Sequence, residues 1–304
     1  MKKKILVVLT AVVLIVCSIV GFTACAKDDK TIRVSTTTSV KDSGLMDYLT
    51  PYFEKETGYK LSVVSAGTGA AINAAKFGNA DVILVHSKAQ EEAFVNEGYG
   101  RKVGDRTAER VSFMYNYFVL VGPSTDPANA EDAANIKDAF DNIASTQSKF
   151  ISRGDKSGTH TKEVSLWDST LNITADNAPN NSWYVSAGAA MGACLTMANE
   201  QNGYVLTDKA TYLSFKNNTE GDKLPNLTIL YEQDNSLKNT YTIIAVNPDA
   251  NFVNVDGDAL AAGSVKINTA GADVFLNWMT SERGKELIAT YGTTEFGAPL
   301  FTLM

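Results

Sequence analysis

Short β-like runs followed by amphipathic ones recur along the first third of the chain. Thr31–Ser35 alternates polar and apolar residues as a strand does. From Leu45 to about Thr57 the apolar residues fall at helical spacing, and Gly58 ends the run. Asp42-Ser43 stands just before it as a capping signal. Leu61–Ser65 reads as a second strand, and a helix follows through Ile72 and Ala75 to Phe77. Asp81–Val85 is apolar throughout after its first residue, the pattern of a strand covered on both faces. Gln90–Glu97 is helical, and Gly98–Gly104 reads as a loop. Strand, turn and helix at this spacing predict a parallel α/β sheet, with ligands bound beyond the C-terminal strand ends. The turns Thr36–Ser39 and Gly67–Gly69 occupy two such ends and face one crevice.

Val111–Val121 is a long apolar strand stopped by Gly122-Pro123, and it reads as a crossing into a second lobe. That lobe holds a helix over Ala134–Ala144, a strand at Lys149–Ile151, and a helical pattern from Ser157 to Trp167. A strand at Trp183–Val185 leads through Ser186-Ala187-Gly188 into a helix over Ala189–Asn199. Gly203–Thr207 is a strand, Asp208–Leu213 a short helix, and Leu227–Tyr231 a strand. Tyr241–Val246, bounded by Asn247-Pro248, is the return crossing, and Ala270–Met279 with Glu282–Tyr291 closes the first lobe. The predicted division is 31–121 plus 241–304 for lobe 1 and 122–240 for lobe 2.

The start of the chain is of another kind. Lys2-Lys3-Lys4 precede an apolar run from Ile5 to Val20, then small residues and Cys25, the pattern of a secretory leader. Phe22-Thr23-Ala24-Cys25 resembles the lipobox of bacterial lipoproteins. Residues 1–24 are therefore expected to be a signal peptide, Cys25 a lipidated residue, and 25–30 a tether, with the rest of the chain outside the cytoplasm. Of the three cysteines, only Cys194 remains in the body, so no internal disulfide is expected there.

Charge narrows the partners. The chain has 27 basic and 34 acidic residues, and loss of the leader removes three lysines and no acid, so the formal charge moves from −7 to −10. Nucleic acid is a poor partner for such a chain. A captured anion would be held by near contacts against an adverse overall field.

The stretch that best fits such contacts is Ser152–His160, Ser-Arg-Gly-Asp-Lys-Ser-Gly-Thr-His. A strand end supplies Arg153, a forked and permanently charged donor, with Asp155 placed to orient it. Ser157, Gly158 and Thr159 open a helix, where main-chain N–H groups lack intrahelical partners. Thr37, Thr38 and Ser39 in one turn and Thr68 in another add hydroxyls from the opposite lobe. No acid lies in those two turns, so a pocket of donors alone is expected, suited to a fully ionised dianion. His86 and His160 are the only histidines and cannot build a multi-histidine metal site, and no cofactor is implied. Ser157 and His160, three apart, would suit a hydrolase only with an orienting acid and a nucleophile elbow, neither of which is evident.

Taken in order, Thr36-Thr37-Thr38-Ser39, Asp42-Ser43-Gly44-Leu45, Gly67-Thr68-Gly69, Ala80–His86, Met114–Val119, Ser152–His160, Met191-Gly192 and Tyr204–Asp208 resemble the substrate-binding lipoproteins of bacterial ABC importers for tungstate and related oxyanions. The resemblance covers nearly all of the chain beyond the leader. It implies a periplasmic-binding-protein-like fold of type II, with two α/β lobes joined by two crossing strands and a ligand cleft between them. It further implies a lipid-anchored protein that delivers tungstate, or molybdate, to a membrane permease. The Arg153–Thr159 loop is also similar to that of phosphate-binding proteins, which leaves phosphate or sulfate as the alternative ligand.

Overall fold

Two strands carry the chain from one half of the molecule to the other and back. The computed structural model describes residues 30–304, apart from 180, 218, 219 and 233. The leader, Cys17 and Cys25 lie outside the described residues.

In chain order, β1 (Thr31–Thr37) runs into the short helix α1 (Thr38–Asp42) and then α2 (Leu45–Thr57). β2 (Lys60–Ala66) leads to α3 (Thr68–Lys76), and β3 (Val82–Val85) to α4 (Lys88–Asn96). After β4 (Gly100–Arg101) comes the long β5 (Val111–Pro123). The second half contains α5 (Ile136–Ser145), β6 (Phe150–Ser152), α6 (Gly158–Val164), β7 (Tyr184–Ser186), α7 (Met191–Gln201), β8 (Val205–Asp208), α8 (Lys209–Lys216) and β9 (Leu227–Tyr231). β10 (Lys238–Val246) returns, followed by α9 (Thr269–Met279), α10 (Glu282–Thr290), α11 (Thr293–Phe296) and β11 (Thr302–Leu303).

The central sheet runs β11-β5-β10-β3-β1-β2. β1 pairs in parallel with β2 and β3, as expected of strand–helix–strand units. The rest departs from the parallel sheet that the sequence suggested. β10 lies antiparallel to both β3 and β5, and β5 lies antiparallel to β8 and β9. The reason is topological: a strand that leaves and a neighbour that returns must run in opposite directions. β5 serves both halves. Its first part pairs with β10 up to Tyr117, and its second part pairs with β8 from Phe118 onward.

Four apolar clusters follow the same division. Val34, Phe53, Leu84, Tyr241 and Phe275 belong to one, and Ile72, Val85, Phe94 and Ile244 to a second. Beyond the crossing, Phe140, Phe150, Trp167 and Tyr204 form a third, and Val121, Met191, Leu195 and Leu227 a fourth. Cys194 is fully buried in that fourth cluster, and burial pushes its thiol up to about 12.

Three local expectations change. Asp42 does not cap α2; it ends α1, and Gly44, with φ +79°, stands at the α2 N-cap. A side chain there would meet the Tyr291 hydroxyl at 2.5 Å, so glycine is required on both counts. The helix after Ser157 stops at Val164 instead of reaching Trp167. The Trp167 ring turns to pack 4.5 Å from Phe140 and 4.9 Å from Phe150, centroid to centroid, and that packing overrides the helical pattern. The Gly98–Gly104 loop contains β4, which pairs with the end of β10.

Candidate functional site

Three strand ends converge. β1 ends at Thr37, the N-cap of α1; β2 is followed by Gly67, the N-cap of α3; β6 is followed by Arg153 and the loop that Ser157 closes as N-cap of α6. Thr37, Ser39, Thr68, Arg153, Ser157 and Thr159 are all buried. The Arg153 side chain is only 3% exposed, so it is not the surface arginine that such a loop would usually carry.

Arg153 reaches across the seam between the halves. Its Nη2 donates to Thr38 Oγ1 at 3.1 Å and to Asp155 Oδ2 at 2.5 Å. Gly154 adopts φ +60°, and a Cβ there would collide with Ser186 Oγ at 2.1 Å. The Ser186–Gly188 turn thus supports the arginine loop from behind, an arrangement completed by Ala189 N–H donating to Arg153 O at 3.1 Å. On the facing side, a Cβ at Gly67 would lie 3.5 Å from Ser157 Cβ, an ordinary contact. At Gly158 the approach is tighter: a Cβ would meet His86 Cε1 at 2.8 Å and Thr68 Oγ1 at 3.2 Å.

Donors at this seam are left over. Thr68 Oγ1, Thr159 Oγ1 and Arg153 Nε are buried without a hydrogen-bond partner among the described residues. Thr68 comes from one side of the seam, and Thr159 and Arg153 from the other. A buried polar group in that state costs about 1–3 kcal/mol, which an acceptor bound at the seam would offset.

Acids are closer than the sequence suggested. Asp155 Oδ2 lies 3.7 Å from the Cβ position of Gly67, which corrects the expectation of donors alone. The Asp155 carboxylate is nevertheless occupied: Arg153 takes Oδ2, and Ser157 N–H donates to Oδ1 at 3.1 Å. Asp42 and Asp208 also feel the Arg153 charge; burial raises both, Asp208 to about 6.

A chain of buried side chains that sequence reasoning missed runs behind the site. Thr37 Oγ1 lies 3.0 Å from Ser39 Oγ, which lies 3.1 Å from His86 Nε2. His86 Nδ1 lies 2.8 Å from Asn239 Oδ1 on β10. Asn239 Nδ2 donates to Asn116 Oδ1 on β5 at 3.0 Å, and Asn116 Nδ2 points to Asp208 Oδ1 at 3.4 Å. An ionised Asp208 only accepts, which fixes the direction of every link. Both amides turn their nitrogens towards it, so His86 carries its proton on Nδ1. Burial holds this imidazole down to about 4, hence neutral, and its bare Nε2 draws the Ser39 hydroxyl proton. Ser39 and Thr37 thereby spend their protons inward, whereas those of Thr68 and Thr159 stay free for the seam.

Under the loop, Glu163 accepts from Ser152 Oγ, from Trp167 Nε1 at 2.8 Å and from Tyr184 OH at 2.8 Å. Burial pushes its carboxyl up to about 7. The Ser157–His160 pair is not a nucleophile and base. Ser157 Oγ accepts from the His160 N–H at 3.2 Å, and His160 Nδ1 accepts from Lys156 N–H at 3.0 Å.

Residues 23–283 match the PBP superfamily domain. The chain is 41% identical, over 99% of its length and 98% of the relative's, to the tungstate-binding protein TupA of Peptoclostridium acidaminophilum. It belongs to the family of these binding proteins. Its fold agrees with the tungstate ABC transporter structure from Geobacter sulfurreducens, with a TM-score of 0.68 and 39% identity over 86% of this chain and 98% of that one. The tungstate-binding protein TupA from Desulfovibrio alaskensis gives a TM-score of 0.66 and 36% identity over 90% and 98%. In this family the two α/β halves and their crossing strands are the fold itself, and the seam described above lies between those halves.

Proposed function

We propose that the protein is the extracytoplasmic substrate-binding component of an ABC importer, and that it closes on tungstate between residues 31–121 with 241–304 and residues 122–240. The observation that carries this is the set of buried, unpartnered donors on both sides of one seam: Thr68 Oγ1, Thr159 Oγ1 and Arg153 Nε. A tetrahedral dianion offers acceptors in every direction and would satisfy all three together. Thr38 and Ser157 add hydroxyls whose oxygens already accept from Arg153 and His160 N–H, so their own protons remain to be given. Each hydrogen bond to a charged group contributes about 1.5–3 kcal/mol net, and these five would bring binding to about −10 kcal/mol, on the order of tens of nanomolar. Donors from both halves favour the closed state, which is the form a permease would read. In this reading Cys25 carries the lipid anchor, and the protein takes no catalytic part.

Phosphate is the second reading, because Asp155 stands at the seam and a carboxylate could accept from a protonated ligand oxygen. Both its oxygens are already engaged, which favours the fully ionised ligand. Titration calorimetry of the full-length chain with tungstate, molybdate, sulfate and phosphate tests the choice. Tungstate should bind tightly, molybdate as well or less well, and phosphate weakly. Arg153→Ala should weaken tungstate binding by about 100-fold or more, with little change in the unfolding midpoint of the unliganded protein. Phosphate binding as tight as tungstate would sink this reading.

A further inference from the structure

Beside the closed seam lies a cavity of about 580 Å³ that shares two walls with it, His86 and Gly158. The cavity draws residues from both halves and from both crossing strands, Phe118 on β5 and Lys238–Thr240 on β10 among them. Its charged lining is Lys88, Arg110, Lys162 and Lys238 against a single carboxylate, Glu91. That carboxylate is bound to Arg110 at 2.5 Å, and Lys88 lies 3.7 Å from Glu92. Lys162 Nζ donates to the Ser236 carbonyl at 2.7 Å and feels Asp234, while Lys238 Nζ rests 3.9 Å above the Tyr115 ring centroid. Among the described residues neither Lys162 nor Lys238 has a carboxylate within ion-pair distance.

This sign is the reverse of its surroundings. The chain carries a formal charge of −7. At the seam, Arg153 lies among Asp155, Asp42 and Asp208, while Lys156 of the same loop is paired with Asp176 and Lys41 with Asp47. A dianion approaching that junction meets net negative charge until it is within hydrogen-bond range. In a cavity lined by low-dielectric walls, fixed charges of one sign focus the field and raise the local concentration of the opposite ion.

We propose that this cationic chamber is the first-contact site for the oxyanion, from which it passes the His86–Gly158 wall into the seam when the halves part. The inference rests on the oxyanion-binding reading and adds a route to it. Lys162 and Lys238 act on the rate of arrival, and neither belongs to the set of side chains that holds the bound anion.

The test is stopped-flow tryptophan fluorescence on the full-length chain in neutral detergent, mixing with sodium tungstate at a series of salt concentrations. The Lys162→Gln/Lys238→Gln double variant should associate about tenfold more slowly than wild type at ~20 mM salt, with the difference vanishing near ~1 M as screening sets in. A Lys60→Gln/Lys285→Gln variant makes the same change in net charge on exposed positions away from the cavity, and it should associate as wild type does. Equal slowing in both double variants, or slowing in neither, overturns the first-contact role while leaving wild-type binding intact. Failure of wild type to bind tungstate by calorimetry would instead remove the functional reading, and this inference with it.

Discussion

Glu163 shows how one buried carboxyl organises the arginine loop. It takes three donors, and one of them, Ser152 Oγ, in turn accepts the Gly154 N–H at 3.3 Å. A carboxyl raised to about 7 is protonated in the folded chain at pH values where the unfolded chain has lost the proton. The folded state then binds more protons between the ordinary value of 4.5 and about 7, so this group's contribution falls as pH rises through that window. His86 acts oppositely. Its folded value is about 4 against an ordinary 6.5, so its contribution falls as pH drops through the interval between them. Subtracting a Glu163→Gln variant isolates the first effect. Urea unfolding at pH 5 and pH 8 should show wild type gaining on the variant at the lower pH. A constant difference would mean that Glu163 does not titrate in this range.

At the scale of elements, the crossing strands were legible because their residues are apolar on both faces and end at Gly122-Pro123 and Asn247-Pro248. Four hydroxyl side chains in a row were expected as one turn; Thr36 and Thr37 instead finish β1, and Thr38 and Ser39 open α1. Helix α1 was not legible: five residues are too few for periodicity, and Asp42-Ser43 imitates a cap. The His86–Asn239–Asn116–Asp208 chain was hidden for a different reason. Its members are up to 153 residues apart, in a link such as His86 to Asn239, and each alone reads as an ordinary buried polar residue. The glycine turns at α3 and α6 differ in a way that can be measured. Gly158→Ala places a methyl against His86 and Thr68 and should weaken tungstate binding at least tenfold by holding the halves apart, at a stability cost of about 1–3 kcal/mol or less. Gly67→Ala meets only ordinary contacts and should bind within about threefold of wild type. Calorimetry and urea unfolding on the pair distinguish closure from folding, and equal affinities would count against a closed seam.

For the whole molecule, capture and location are separate properties. Among the described residues no helix is long and apolar enough to cross a membrane; the lipid anchor proposed at Cys25 is tested separately from ligand capture. Cys25→Ser should move the protein from the membrane fraction to the soluble fraction of the cell while leaving tungstate affinity unchanged. Continued sedimentation with membranes would mean that another segment holds it there.

One buried side chain bears on how the body can be made. Cys194 has no sulfur partner and sits in an apolar cluster, and its thiol stays protonated at neutral pH. The body from Thr31 onward therefore reaches its final form without any oxidant. Reducing agents should leave it untouched, and air should not cross-link it. A body built this way takes the same form in reducing and in oxidising surroundings.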